Sequence, residues 1–328
     1  MKTVGLVISH KSGERRRALL PQDIKKNVKN PRQLFFEKGY GESVGVSDEE
    51  YIAVGCNVVS RKEALACDVV TDVKLGDADY LDEVAPNKIL FGWAHAVQNI
   101  PFTTEILKKN HTVIAWEEIF EDGRYIFYRN REVAGEAAIM HAYRYCGKMP
   151  YDTKVAILGN GQTAKGALRI LHGLGAEVDV YGRRLERLFR EKMYEYDVLV
   201  NCIMWDTNRT DRIIYAEDLK KMKPGTMIID VSCDPYLEIE TSRPSTIEDP
   251  VYVVDGVIHY TVDNTPGMFP ITITKVLSEG ISRYIDYIIE GAYDSYPQNL
   301  QTAVVIKDGH IMDERITTFR MARNEFCK

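Results

Sequence analysis

The chain has 328 residues, 45% of them hydrophobic and 27% charged, which is enough to bury two cores and favours two domains. A net charge of −6 with no basic run argues against nucleic acid as a partner. No stretch reaches the ~18 to 20 apolar residues of a membrane span, and the opening MKTVGLVISHKSGERRR reads as strand then charge, not as a leader.

Residues 3–9 read as a first strand. The loop after it carries Arg15, Arg16 and Arg17 ahead of Ala18-Leu19-Leu20-Pro21. Three guanidiniums between a strand and an apolar run suit an anion site, or else a solvated charge cluster. Short strands follow at 34–36 and 57–59, and Ser60 with Glu63 forms a capping box that starts a helix. Residues 69–73 make a strand running into Lys74, and 89–93 make another running into His95. Polar groups at the C-terminal ends of successive strands in one sheet converge where α/β proteins bind ligands. Lys74 and His95 are therefore acid–base candidates; taken singly, each also reads as a surface lysine or a hydrogen-bonded core histidine. The strand at 113–116 ends in Glu117-Glu118, Asp122-Gly123 marks a hairpin, and a helix from Glu132 to about Cys146 enters the second domain.

The most informative stretch is TKVAILGNGQTAKGALRILHGLGAEVDVYGRR, residues 153–184. A buried strand, a glycine turn, an amphipathic helix and a second strand follow one another, as a dinucleotide fold requires. Gly159, Asn160, Gly161, Gln162, Thr163 and Ala164 form the phosphate turn, and the helix N-terminus adds partial positive charge. At the end of the second strand an NAD site places an acid for the ribose hydroxyls; here stand Gly182, Arg183 and Arg184. Two guanidiniums and no carboxylate suit the 2′-phosphate of NADPH/NADP, the alternative being a solvated helix start. Further strands are expected at 197–201 and 227–231, the second followed by Asp234, an acid on the nicotinamide side of such a sheet. A hairpin at 251–254 and 258–262 precedes one long amphipathic helix over 271–291 that crosses back to the first domain, and a last hairpin closes around Asp308-Gly309. The six cysteines show no CxxC pair or metal-ligand spacing, so they read as reduced core residues of a cytoplasmic protein and no metal is expected.

The stretches GERRRALLP, DVKLGD, LFGWAH, REVAGEAA, GNGQTA, KPGTMIIDVSCD, TSRPST and NTPGMFP, in this order and spacing, resemble the alanine dehydrogenase and transhydrogenase superfamily over nearly the whole chain. The resemblance implies that Arg16 anchors a 2-oxo acid carboxylate, that Lys74 and His95 handle the carbonyl or imine and its proton, and that Asp234 sits beside the nicotinamide. It adds Asn264 of NTPGMFP to the cofactor contacts. The missing acid at Gly182 and the segment TVIAWEEIFEDGRYIFYRNREVAGEA are more similar to the opine-forming members, N5-(carboxyethyl)ornithine synthase and lysine-forming saccharopine dehydrogenase, than to alanine dehydrogenase itself. The chemistry implied is NADPH-dependent reductive condensation of pyruvate with the side-chain amine of ornithine or lysine; the alternative is an amino acid dehydrogenase of the alanine or saccharopine type. A cationic co-substrate needs a nearby acid, and Glu117 is the first candidate. The expected architecture is α/β: two Rossmann-like domains with a cleft between them. The substrate domain spans 1–133 plus 285–328 and the dinucleotide domain 134–284, with small-molecule substrates and a homo-oligomeric state.

Overall fold

The structure, a computed structural model, describes residues 1–206, 209–233 and 236–323. Eight strands open the chain: β1 (Val4–Leu6), β2 (Leu34–Glu37), β3 (Asn57–Val59), β4 (Val69–Asp72), β5 (Ile89–Gly92), β6 (Thr112–Ala115) and the small hairpin β7 (Phe120–Glu121) and β8 (Arg124–Tyr125). Six more follow: β9 (Lys154–Leu158), β10 (Glu177–Tyr181), β11 (Val198–Asn201), β12 (Met227–Asp230), β13 (Val251–Val254) and β14 (Val257–Tyr260). The hairpin β15 (Val304–Lys307) and β16 (His310–Ile311) closes the set. Two compact units result, one from Met1–Phe127 and Pro270–Lys328, the other from Tyr128–Phe269.

In the first unit the strands form one sheet in the order β16-β15-β6-β5-β4-β1-β2-β3. The pairs from β6 to β3 are all parallel, and β15 joins β6 antiparallel. Sequence order reverses between β1 and β4, so the crevice of a doubly wound sheet opens at their C-terminal ends. The central strands are apolar along their whole length, as burial on both faces demands: Val69, Val70, Leu90, Phe91, Val113 and Ile114 are fully buried.

The second unit repeats the plan with the order β10-β9-β11-β12-β14-β13, parallel except for the β13/β14 edge hairpin. Its switch lies between β9 and β11, beside the glycine turn. Val155, Ile157, Val200 and Ile229 pack on one face of this sheet, and Ala156, Leu199 and Ile228 on the other.

Two boundaries differ from the sequence expectation. The first divide falls after Phe127, ahead of 133/134, because the entering helix already starts at Tyr128. Its polar first turn reads poorly as helix, but Arg129 bonds Glu132 and Glu136 along the same face. The second divide falls at Phe269/Pro270, ahead of 284/285, and the helix expected over 271–291 is two helices, Pro270–Ile281 and Ile285–Glu290, both in the first unit. Between them Arg283 and Tyr284 donate to the carbonyls of Gly280 and Ile281, three residues back, and this tightening ends the α-helix. Tyr284 then bonds Glu121, and Ser282 accepts from Asn27.

The helices Tyr128–Cys146 and Gln162–Gly173 cross in direct backbone contact. A Cβ on Gly166 would collide with the Glu132 carbonyl, and one on Gly135 with the Thr163 carbonyl. This contact explains the small residues of REVAGEAA and holds the helix that carries the phosphate turn. Gly166→Ala is therefore expected to destabilise the protein by about 3 kcal/mol, because backbone atoms cannot yield to the added methyl. Gly173→Ala, where nothing lies within 4 Å of the new atom, is expected to be neutral or to stabilise by up to about 1 kcal/mol. Thermal denaturation compares the two; equal midpoints would contradict this helix contact.

Candidate functional site

The register of the first sheet decides which side chains meet. Asp72 pairs with Gly92 and Gly92 with Ala115, so β4, β5 and β6 end level, and β1 runs beside β4. Arg16, Lys74, His95 and Glu117 all follow the C-terminal ends of these strands, at the edge where the switch point lies.

The three arginines separate into different roles. Arg15 is exposed; Arg17 is buried and turned to the carbonyls of Arg16 and Tyr40. Arg16 is 2% exposed and makes a forked ion pair with Glu14, Nε to Oε1 at 2.8 Å and Nη2 to Oε2 at 2.5 Å. The pair compensates the buried guanidinium charge and fixes its plane. Below it Trp93 offers its ring face at 4.9 Å, and Trp93 packs in turn against Trp116 and Phe127. Trp93 belongs to the stretch LFGWAH, but a sequence reading has no means of seeing that it floors the arginine.

Lys74 is nearly buried, with its ammonium 3.8 Å from Asp77, which also binds Lys11 at 3.2 Å. Its main-chain N–H donates to Asp72, whose other oxygen accepts from the Tyr80 hydroxyl at 2.6 Å. Burial pushes the Asp72 carboxyl up from its ordinary range.

His95 holds a left-handed backbone, φ +46°, and presents an exposed ring. That conformation costs a residue with a side chain roughly 1–2 kcal/mol. Glu117 offsets it: its two oxygens accept the N–H groups of Ala94 at 3.2 Å and His95 at 2.5 Å. Burial raises the Glu117 carboxyl to about 7, against the lowering effect of those hydrogen bonds. Glu118 points elsewhere, into an ion pair with Arg315 at 2.7 Å.

In the second unit the glycine turn has the geometry its sequence predicts. Gly159 sits at φ +107° and donates to the Tyr181 carbonyl, extending the parallel β9/β10 ladder into the start of the turn. Gly161 precedes the helix Gln162–Gly173, which begins with Gln162, Thr163 and Ala164. Ala164 is buried and belongs to the same apolar core as Val155, Ala167 and Tyr260. A cavity of about 700 Å³ beside the turn is lined by Asn160, Ala164, Lys165, Leu168, Val180, Gly182, Arg183, Arg184 and Leu185. This brings Asn160 and both arginines to one hollow and adds Lys165, a third cation that the motif alone does not single out. The open space at Gly161 and Gly182, where an added Cβ would meet nothing, leaves room for a nucleotide to approach the backbone.

Asn264 lies outside that cavity's lining, in a left-handed turn, φ 64°, leading into Thr265–Met268. Asp234 lies outside the described residues. Just before it, the N–H groups of Ser232 and Cys233 donate to Asp230, which is fully buried and also bonded by Asn201 and Ser242.

Comparison with known proteins identifies the family to which this fold belongs. Residues 6–126 match the family described as alanine dehydrogenase/PNT, N-terminal domain, and residues 184–314 its C-terminal domain. Residues 119–238 also match the NAD binding domain of D-isomer specific 2-hydroxyacid dehydrogenases. A protein from Lactococcus lactis subsp. lactis (strain IL1403) named N(5)-(carboxyethyl)ornithine synthase is 33% identical over 86% of this chain and 95% of its own. One of the same name from Clostridium botulinum is 30% identical over 86% of this chain and 93% of its own. The solved structure of an L-alanine dehydrogenase, 22% identical, superposes with a TM-score of 0.83 over 98% of this chain and 99% of that one. Two matched domains, relatives aligned over most of the chain and a shared two-unit α/β fold lead to one conclusion: the chain belongs to the alanine dehydrogenase/PNT family of nicotinamide-dependent oxidoreductases.

Proposed function

We propose that the protein is an NADPH-dependent, opine-forming oxidoreductase that condenses pyruvate with the side-chain amine of ornithine or lysine and reduces the resulting imine. The observation that supports this reading is that Arg16, Lys74 and His95 follow the C-terminal ends of β1, β4 and β5, at the switch point of one sheet, in a chain whose relatives bear the synthase name. Arg16, its plane fixed by Glu14 and Trp93, binds the pyruvate carboxylate. The Lys74 ammonium hydrogen-bonds the keto oxygen and draws charge from the carbon under attack. His95, with an exposed imidazole, takes the proton that the amine must lose before it attacks. His95 then returns that proton to the carbinolamine hydroxyl, water leaves, and a protonated imine remains. Bound NADPH would supply the hydride that turns this protonated imine into a secondary amine. Ammonia in place of the amino acid would give alanine dehydrogenase chemistry; the glycine at 182 weighs against that branch as much as the relatives do.

For the cofactor, Arg183 and Arg184 on the turn after β10, with Lys165 across the same hollow, support recognition of a 2′-phosphate. The expected preference for NADPH over NADH is tenfold or more, about 1.4 kcal/mol, in a fluorescence titration. Removing both arginines is expected to erase that preference while leaving NADH affinity unchanged. Lys165→Ala, which removes a point charge and no fork, should cost about threefold. A protein that binds NADH as tightly as NADPH would refute the phosphate assignment.

The substrate class is tested by NADPH oxidation with pyruvate and, in turn, ornithine, lysine, ammonia or no amine. Turnover is expected with a basic amino acid and not with ammonia. Turnover with ammonia alone would replace this reading by an alanine dehydrogenase one.

A further inference from the structure

Each candidate residue at the first sheet's edge shares a feature that its side chain does not reveal. The main-chain N–H of Arg16 donates to Glu14 at 2.8 Å, that of Lys74 to Asp72 at 2.8 Å, and that of His95 to Glu117 at 2.5 Å. Two of these tethers are local, from a carboxylate two residues earlier. The third crosses from the end of β6 to the end of β5, and it grips two successive N–H groups. It also acts where the backbone most needs holding, at a histidine with φ +46°.

Glu117 has no ion-pair partner among the described residues, unlike Glu118, which binds Arg315. Its carboxylate is committed to the peptide plane that aims the histidine. We propose that Glu117 is a positioning residue, which fixes the left-handed turn at Ala94-His95 through two main-chain hydrogen bonds and so sets the direction of the His95 imidazole. This replaces a direct contact between Glu117 and the cationic co-substrate, and it rests on the proposed role of His95 in moving the amine proton.

Glutamine keeps the size of Glu117 but turns an NH₂ donor toward one of the two N–H groups, so one bond of the tether is lost. Glu117→Gln is expected to lower kcat tenfold or more, with the KM values for pyruvate and the amine held within about threefold. In a His95→Ala background the same change should cost less than twofold, because a residue acting only through the imidazole has nothing left to aim. Amide hydrogen exchange at Ala94 and His95, slow in the wild type, should quicken in the variant whether or not it turns over. Glu117→Asp, which keeps the charge with a shorter reach, serves the same comparison if the glutamine variant fails to fold, and is expected to lie between it and the wild type.

A tenfold rise in the amine KM with kcat unchanged would overturn the proposal in favour of direct contact with the co-substrate. A cost in the His95→Ala background as large as in the wild type would overturn it too, as would unchanged amide exchange. A His95→Ala enzyme as fast as wild type would instead refute the acid–base role of His95; quickened exchange in Glu117→Gln beside that result would leave the tether standing without its catalytic purpose.

Discussion

The constraint behind much of this molecule is that buried main-chain N–H groups must find acceptors where the sheet ladders stop. Past the last ladder bond of a parallel strand the chain has to turn, and the N–H groups of the turn lose their regular partners. Here acidic side chains take them: Asp72 and Glu117 at the ends of β4 and β6, Glu14 in the loop after β1, and Asp230 at the end of β12. A carboxylate suits the task because it accepts several hydrogen bonds at once, and charge strengthens each of them. The cost is desolvation, visible in the raised carboxyls of Asp72, Glu117 and Asp230. Rigid loops at the sheet edge are what that cost supports, and such loops are where a reacting group can be held in direction.

The two units apply opposite electrostatics to one architecture. In the first, the charged groups are drawn inward and paired: Arg16 with Glu14, and Lys74 with Asp77, which Lys11 also reaches. Paired, partly desolvated groups favour short-range contacts with a small ligand, because water screens them less. In the second, Arg183, Arg184 and Lys165 stand exposed around a hollow. Exposed cations attract an anionic ligand from solution and keep contact with solvent on one side. The proposed ligands, a compact oxo acid and a long dinucleotide, call for this difference.

Much of the fold was legible because its signals are local. Apolar runs of four or five residues, the Gly159–Ala164 turn and the Ser60…Glu63 capping box each declare an element without help from the rest of the chain. The errors arose where tertiary contacts decide. The helix from Tyr128 is anchored by Arg129 bonding acids one and two turns on, and the break near Ser282 follows from a tightened turn whose neighbours bond Asn27 and Glu121. Of the candidate site, Lys74 and His95 could be picked out from strand ends and Arg16 from its arginine run and the family resemblance, but their supports could not. Glu14 looks like one more charge in GERRR, Trp93 like core, and Lys165 like a solvated helix residue. Glu117 was legible as an acid near the site, while its bonds to two main-chain N–H groups belong to no sequence pattern.

Cofactor choice carries the same lesson a step further, since a phosphate responds to the net field and not to the presence of arginine alone. The nearest acid in sequence to Arg183 and Arg184 is Glu186, which could cancel part of their charge. It is instead held in a forked pair by Arg209, at 2.7 and 2.8 Å, and Arg209 lies over the Trp205 ring at 4.3 Å. Asp179, on β10, is occupied by the Tyr196 hydroxyl at 2.7 Å. With Gly182 in the position of the usual acid and Glu186 already matched, the two arginines keep their charge for a ligand. Arg209 thus pairs the acid that stands nearest the two arginines in sequence. A carboxylate introduced at position 182 would work against the proposed phosphate site twice, by repelling a phosphate and by offering the arginines an internal partner.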